Sequence, residues 1–360
     1  MKVLEGASAP DSSRAVQGAP AGTPATTRRR RSAALQVLLL SLLSGCAGLG
    51  PQAPVSTSPA VVATIPIGNP PTLLAAAPDG KHVYAASDGS LAVIDTATNA
   101  VVATLPVNPN STGIAVTADG ARVYVAALFS INLAVLDTAA NTLAPPVQLF
   151  LQRLRGGFSW MALSADGATA YIANQANQVL AIVAMPGGQG DIVMPDIRPV
   201  DAAITPDGRT VYLAGCKPIC TPGFVQLLDT ATRRFTTEIA VDGNPYRVAV
   251  APNGARAYTA NLSGPSVSVI DLAAKRVVAT VRVPVQPTGL AVSADSRTVW
   301  VASQTGGALT AIDAATNQVR GSVPIALARD VAVTPDGRRV YVSSDRAVVV
   351  VDAAAVGGGG

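Results

Sequence analysis

The residues best suited to chemistry occupy one repeated position in this chain, six residues before a recurring turn that begins with Asp or Asn. Three members of this series carry charge, and one is an indole. Two carboxylates and a guanidinium at equivalent positions can hold a small polar ligand, can support hydrolysis of a lactone, or can neutralise one another as a salt-bridged plug. The series is Leu73, Gly113, Trp160, Asp201, Arg247, Gly289 and Asp330.

Further polar side chains are expected at the same mouth. They come from the loops that lead into each first strand and from the loops between the second and third strands. Together with the charged series, they favour a small polar ligand or a peptide terminus over a phosphate chain. These candidates are Tyr246, Arg329, Arg153, Arg155, Asn174, Asn261 and Gln304.

A unit of about forty residues positions these side chains. In its clearest copy, strand-like runs at 113–117 and 123–126 flank an Asp-Gly turn at Asp119, and a third run follows at 133–136. The turn occurs seven times, at spacings of 40 to 47 residues. Seven copies of a four-strand unit predict an all-β fold, a seven-bladed β-propeller over residues 60–353. The turn residues are Asp79, Asp119, Asp166, Asp207, Asn253, Asp295 and Asp336.

The ends of the repeat array predict how the ring closes. Residues 60–66 match the fourth-strand sequence at 100–106 but have no strands before them, whereas the last unit, 330–352, has three strands and no fourth. We therefore expect residues 61–67 to supply the outer strand of the last blade, because closure removes two open sheet edges. Residues 354–360 are expected to form a Gly-rich tail.

Composition agrees with one folded domain and argues against a nucleic-acid partner. Of the 360 residues, 49% are apolar and 13% are charged, which suits many short buried strands. The net charge of +4 comes from residues 1–45, which hold six Lys or Arg and two acids, whereas the rest of the chain holds 20 of each sign. Nucleic-acid binding needs a basic footprint, so that class of partner is not expected.

The beginning of the chain predicts export. Residues 28–31 are all Arg, residues 33–43 form an apolar stretch too short to span a bilayer, and Leu43-Ser44-Gly45-Cys46 follows. That tetrapeptide resembles a bacterial lipobox, which implies lipidation of Cys46 and, with Ala as the next residue, outer-membrane placement. Residues 1–45 are then an extension with a lipoprotein signal peptide, and residues 46–59 are a flexible tether. An ordinary secretory signal with a chance Cys is the alternative.

Cys216 and Cys220 lie close together in a chain expected to be exported. Their spacing predicts a short-loop disulfide that shapes the loop and adds little to the stability of the fold. A redox-active pair is the alternative. The chain has one His, His82, and no Cys-x-x-Cys-His motif, so no metal and no cofactor are expected.

Three repeat sequences, Val123-Tyr-Val-Ala126, Ala170-Tyr-Ile-Ala-Asn174 and Ala257-Tyr-Thr-Ala-Asn261, resemble the YVTN β-propeller repeat family. That family is found in bacterial YncE-like periplasmic proteins and archaeal surface-layer proteins, and the resemblance covers residues 60–353. It implies an envelope location and a binding role. Some members bind single-stranded DNA, and distant relatives are lactonases or the haem d1 domain of nitrite reductase.

The sequence therefore predicts a monomeric, lipid-anchored propeller of the cell envelope that binds an envelope protein or a small polar ligand. A lactonase-like hydrolase that uses the charged mouth is the alternative, and single-stranded DNA binding is the third possibility. The sequence favours a binding module over an enzyme.

Overall fold

A computed structural model describes residues 58–151 and 157–357 of the chain. In this part of the chain, 28 β-strands form seven four-stranded antiparallel sheets. The seven-bladed β-propeller predicted from the repeat is confirmed. No helix in the described ranges is long and apolar enough to cross a bilayer.

Six blades are each built from four strands that are consecutive in the chain. The strands of each blade are given below in order from the axis outward. Blade 1 contains β2 (Pro71–Ala76), β3 (His82–Ser87), β4 (Ser90–Asp95) and β5 (Ala100–Pro106). Blade 2 contains β6 (Ser111–Val116), β7 (Arg122–Ala127), β8 (Asn132–Asp137) and β9 (Thr142–Gln148). Blade 3 contains β10 (Phe158–Leu163), β11 (Thr169–Asn174), β12 (Val179–Ala184) and β13 (Gly190–Val193).

The second half of the ring follows the same plan. Blade 4 contains β14 (Arg198–Ile204), β15 (Thr210–Cys216), β16 (Gly223–Asp229) and β17 (Arg234–Val241). Blade 5 contains β18 (Pro245–Val250), β19 (Arg256–Asn261), β20 (Ser266–Asp271) and β21 (Arg276–Arg282). Blade 6 contains β22 (Pro287–Val292), β23 (Thr298–Ser303), β24 (Ala308–Asp313) and β25 (Gln318–Pro324). Blade 7 contains β26 (Val331–Val333), β27 (Arg339–Ser343), β28 (Ala347–Asp352) and β1 (Val61–Pro66).

The first strand of the chain closes the ring as its outermost piece of blade 7. β1 pairs antiparallel with β28, from Val61 opposite Val351 to Pro66 opposite Ala347. Ile65, near the end of β1, is buried between blades 7 and 1. The predicted closure is confirmed, and it gives the edge of β28 a hydrogen-bonded partner.

The C-terminal end is ordered further than the sequence suggested. A 3-10 helix at Ala353–Ala355 follows β28, and Val356 is buried in the apolar cluster shared by blades 6 and 7. The tail expected at 354–360 therefore does not begin at 354, because an apolar side chain before the glycines can still be buried against the outer strands.

Burial explains why the repeat is so apolar. The middle strands of the blades are buried at most positions, as in β19 and β20, where five of six residues are buried, because neighbouring blades cover both of their faces. The outer strand β21 instead alternates between exposed and buried positions. Seven apolar clusters result, most of them shared between adjacent blades, so the core runs around the ring.

The ring has two different faces. On the first, which we call the loop face, the loop into each first strand bonds to the loop between the second and third strands, as in Gln304 N–H to Gln286 O at 2.9 Å. On the second, the turn face, the turn between strands one and two meets the turn between strands three and four, as in Thr96 N–H to Lys81 O at 2.9 Å.

Candidate functional site

Asp201 and Arg247 lie on the first strands of their blades, near the loop-face ends, and Asp330 directly precedes β26, the first strand of blade 7. In most blades the register between strands one and two shifts at this position, as between Pro199 and Asp201 in blade 4 and between Pro245 and Arg247 in blade 5. Such a bulge changes the direction of a side chain, which then no longer follows the regular alternation of side chains between the two faces of the sheet. The strand thus turns the side chain of this residue away from the packed faces of its blade.

Arg247, in blade 5, contacts residues of three other blades. Its guanidinium carbon lies 3.4 Å from the ring centroid of Trp160 in blade 3, and its Nε is 3.4 Å from an Asp201 carboxylate oxygen in blade 4. Its Nη2 is 3.8 Å from Asp330 Oδ1 in blade 7. One side chain can reach three other blades only close to the ring axis. We call Trp160, Asp201, Arg247 and Asp330 the axial cluster.

The two carboxylates of the axial cluster also connect blades through the backbone. Asp201 accepts a hydrogen bond of 2.8 Å from the N–H of Val248, and Asp330 accepts one of 2.9 Å from the N–H of Leu74. Each bond runs from one blade to the next, and the second crosses the seam between blade 7 and blade 1. The carboxylates therefore hold the ring together in addition to pairing with Arg247.

Two other blades reach their neighbours by bare backbone contact at the same position. A Cβ on Gly113 would lie 2.7 Å from Ser159 O, and a Cβ on Gly289 would lie 2.6 Å from the Cα of Asp330. The preceding Thr288 donates its hydroxyl to Arg329 O at 2.8 Å. Glycine is required at these two places because the adjoining blade is already in contact.

Three polar atoms of the axial cluster are closed to solvent, although 15% of the Arg247 side chain is exposed. Arg247 Nε and Nη1 and Asp330 Oδ1 are buried and have no hydrogen-bond partner in the described residues. Asp201 is 3% exposed and Asp330 1%. Of the three arrangements considered for these residues, the observed geometry is that of a salt-bridged plug with long ion pairs. A ligand would have to displace Arg247 to reach the two carboxylates.

Burial sets the protonation of the plug. It raises the pKa of Asp201 to about 6, an effect that Arg247 partly offsets, and it also raises the pKa of Asp330. The pKa of Tyr246, the residue before Arg247, is raised for the same reason. Two carboxylates facing one guanidinium leave one negative charge uncompensated, and proton uptake relieves it.

Comparisons with known proteins identify an architecture and no family. No family model matches the chain, and no curated protein matches its sequence. The solved structure of hydrazine synthase from Kuenenia stuttgartiensis is similar, with a TM-score of 0.71 and 18% identity, over 84% of this chain and 100% of that chain. The chain is a seven-bladed β-propeller. At this identity the likeness shows the fold of the propeller alone.

The other candidates from the sequence do not all join the axial cluster. The side chain of Asn261 is fully buried inside blade 5, where it donates to Ser266 Oγ at 3.0 Å and Ser268 Oγ at 2.9 Å. Asn174 is likewise fully buried and accepts a bond from the N–H of Asn177 at 2.9 Å. Both residues organise the loop between the second and third strands of their blade.

Arg329 and Gln304 lie on the loop face without forming part of the cluster. Arg329 donates from Nη1 to Ser344 O at 3.2 Å, and Gln304 bonds through its backbone to Gln286. Arg153, Arg155 and Cys46 fall outside the described residues. Within 58–151 and 157–357, no three His, Cys, Asp or Glu side chains converge as a metal site requires.

Cys216 and Cys220 are joined by a disulfide in the loop between β15 and β16. Lys217 in this loop pairs with Glu238 at 2.7 Å and lies 4.4 Å from the ring centroid of Phe224. With the backbone held in this way, Ile219 projects into solvent with 79% of its surface exposed.

The propeller also has an apolar surface that sequence reasoning did not single out. Large apolar side chains are exposed on loops of the loop face, whereas the turns of the turn face carry none among the described residues. A sequence signal existed, because three of the four residues between β7 and β8 are apolar, and one of them, Phe129, is 79% exposed. We call this set the apolar rim: Phe129, Ile131, Met194, Ile219, Val285 and Leu327.

Proposed function

We propose that this protein is an exported, lipid-anchored propeller that binds a partner protein of the cell envelope through its loop face. The observation that carries the proposal is the apolar rim, a set of exposed large apolar side chains on loops of the loop face; the other exposed ones, apart from Phe150, lie on outer strands. Water-exposed apolar side chains of this size are costly, and their concentration marks interaction surfaces. The fold supports a scaffold role, since a closed ring presents its loops on a rigid frame.

A protein partner fits the loop face better than a small ligand in the axis. Arg247 Nη1 and Asp330 Oδ1 are sealed from solvent and only 15% of the Arg247 side chain is exposed, so little polar surface remains there for a small molecule to contact. Phe129 and Ile219, by contrast, are each 79% exposed. Aromatic and aliphatic side chains that a partner can cover are the usual anchors of protein interfaces.

Lipid anchoring is supported by the sequence before the propeller. The run of four Arg, the apolar stretch and Leu43-Ser44-Gly45-Cys46 follow the order of a lipoprotein signal. Because β1 starts at Val61, a tether after Cys46 leaves the closed ring intact. Replacing Cys46→Ala should move the protein from the membrane fraction to the soluble fraction, and unchanged membrane retention would contradict the anchor.

The loop-face proposal is tested by charging the rim. In full-length protein, Phe129→Asp with Ile219→Asp should abolish cross-linking to the envelope partner, because burying two carboxylates at an interface is unfavourable. The matched control is Val102→Asp with Val319→Asp, at exposed positions on outer strands. Quantitative mass spectrometry of the cross-linked proteins provides the readout. Equal capture by the rim and control variants would overturn the proposal.

A further inference from the structure

The charges of the propeller are distributed unevenly around the ring. Residues 198–357, blades 4 to 7, contain 16 Lys or Arg and 12 Asp or Glu, an excess of four positive charges. Residues 58–197 contain four Lys or Arg and eight acids, an excess of four negative charges. Residues 58–357 therefore carry no net charge as a whole, but the ring has one basic side and one acidic side.

On the turn face of blades 4 to 7, the basic side chains reach further into solvent than the acidic ones. Each turn acid is held back, because its carboxylate accepts a bond from a nearby backbone N–H, as Asp336 does from Arg338 at 3.0 Å. The arginines extend from the turns: Arg338 lies 3.9 Å from Asp336 Oδ2, yet 84% of its side chain is exposed, against 57% of the Asp336 side chain. Arg233 is also ion-paired, with Asp191. The exposed basic residues of this face are Arg209, Arg233, Arg234, Lys275, Arg276, Arg297 and Arg338.

Two grooves on this face carry more arginine. The groove between blades 6 and 7 has a volume of about 580 Å³ and is lined by Arg320, Arg338 and Arg339 together with Asp295, Asp336 and Asp352, of which Asp352 pairs with Arg339 at 2.6 Å. Its neighbour between blades 5 and 6, of about 540 Å³, is lined by Arg256, Arg297 and again Arg320, with Asp313 as its one acid. Both are large enough to admit a phosphate group, and a guanidinium binds phosphate oxygens through paired N–H donors.

The N-terminal segment joins the propeller at this same face. Ala60, just before β1, accepts a bond from Asp352 N–H at 2.8 Å, and the next residue of that turn, Ala353, donates to Arg338 O at 3.0 Å. Residues 1–57 thus connect beside the first arginine-lined groove. The segment between Cys46 and β1 spans at most about 50 Å when extended, so a lipid on Cys46 would keep the propeller within that distance of the bilayer and attach it from the turn face.

We infer that the turn face of blades 4 to 7 lies on an anionic phospholipid surface, with its arginines against the headgroup phosphates and the loop face directed away. The inference rests on the proposed membrane anchoring, and it adds an orientation that leaves the apolar rim accessible to a partner. Basic side chains near an anionic leaflet attract it within about one Debye length, so contact must weaken with salt.

The test uses the full-length protein incorporated into neutral phosphatidylcholine vesicles and into vesicles that also contain phosphatidylglycerol. Flotation with neutral vesicles reports the anchor alone, and amide hydrogen exchange then reports which face lies on the lipid. Turns 207–209, 295–297 and 336–338 should exchange several-fold more slowly in the anionic vesicles at low salt. The loops around Phe129 and Ile219 should not change.

Charge reversal makes the test specific. Arg297→Glu with Arg338→Glu should remove the anionic protection, because both side chains are exposed on the turn face. Arg282→Glu with Arg346→Glu makes the same change in net charge at exposed loop-face positions and should retain the protection. Protection that is equal in neutral and anionic vesicles, that appears on the loop face, or that survives the turn-face reversal would overturn the inference. Failure to float would refute the anchor separately.

Discussion

Aspartates on the two faces of this propeller make the same kind of bond with opposite consequences. Asp330, on the loop face, accepts the N–H of Leu74 in another blade, whereas Asp336, on the turn face, accepts the N–H of Arg338 within its own turn. Burial raises the pKa of Asp330. The hydroxyl of Thr334 and then the Arg338 N–H lower the pKa of Asp336, which stays in water.

The difference separates the part of the repeat that serves folding, which is the same in every blade, from the part that varies between blades. In all seven turns between strands one and two, the first side chain accepts the N–H two residues later, at 2.9 to 3.1 Å. These turns are local and interchangeable. On the loop face the contact between neighbouring blades varies from blade to blade: it is made by a carboxylate, a glycine or an aromatic ring. Variation there provides the features that distinguish this chain.

Removing one aspartate from each face should give the largest contrast. Asp330→Ala should lower the free energy of unfolding by about 2–3 kcal/mol, because it leaves the buried Leu74 N–H at the ring seam without an acceptor and removes one of the two carboxylates beside Arg247. Asp336→Ala should cost only about 1 kcal/mol, since water replaces the lost bonds. Urea denaturation of both variants measures the difference. Equal losses would mean that the seam does not depend on the buried carboxylate.

The glycine junctions should show the next largest effect. Gly289→Ala should destabilise the propeller by about 1–3 kcal/mol, because the new Cβ meets the Asp330 Cα at 2.6 Å. Gly68→Ala is the matched control, since nothing lies within 4 Å of a Cβ there. Thermal denaturation compares the two. A melting temperature for the Gly289 variant as high as that of the control would contradict the close approach of blades 6 and 7.

The pH dependence should be the smallest effect and carry opposite signs on the two faces. Since the folded pKa of Asp201, about 6, lies above its unfolded value, the folded state takes up a proton first as pH falls from 7 to 5. Stability should therefore rise by about 1 kcal/mol over this interval from Asp201 alone. The turn-face carboxylates, with lowered pKa, keep their contribution until pH falls into the range of an ordinary carboxyl group.

The Asp201→Asn variant isolates this effect. It removes the titrating group, so the gain in unfolding free energy between pH 7 and pH 5 should shrink by that amount. Denaturation with urea at the two pH values measures the slope, which is independent of any loss of stability common to both. An unchanged slope would place the Asp201 carboxylate in water.

The sequence predicted the fold well because the fold is built from a local signal repeated seven times. Asp-Gly turns and alternating apolar runs depend on neighbours within one blade, and the match between 60–66 and 100–106 was enough to predict ring closure. The candidate site was predicted only in part. Asp201, Arg247 and Asp330 were correctly expected to lie together, but Asn174 and Asn261 proved to be buried inside their blades.

The reason is the difference between position and direction. Equal spacing from the turn places Trp160, Arg247 and Asp330 at the same height in their blades, which the sequence determines. Whether their side chains leave room for a ligand depends on how closely seven first strands converge, and this is set by packing between blades that are distant in sequence. The exposure of Phe129 and Ile219 has the same origin.

The sequence by itself therefore determined the blade, the number of blades and the way the ring is closed, because each rests on turns and strand patterns read within about forty residues. Only the tertiary structure decided that the axis is plugged, that the apolar rim lies on one face and that the N-terminal segment joins the other. Those three features arise from contacts and directions between blades, and no local pattern specifies them.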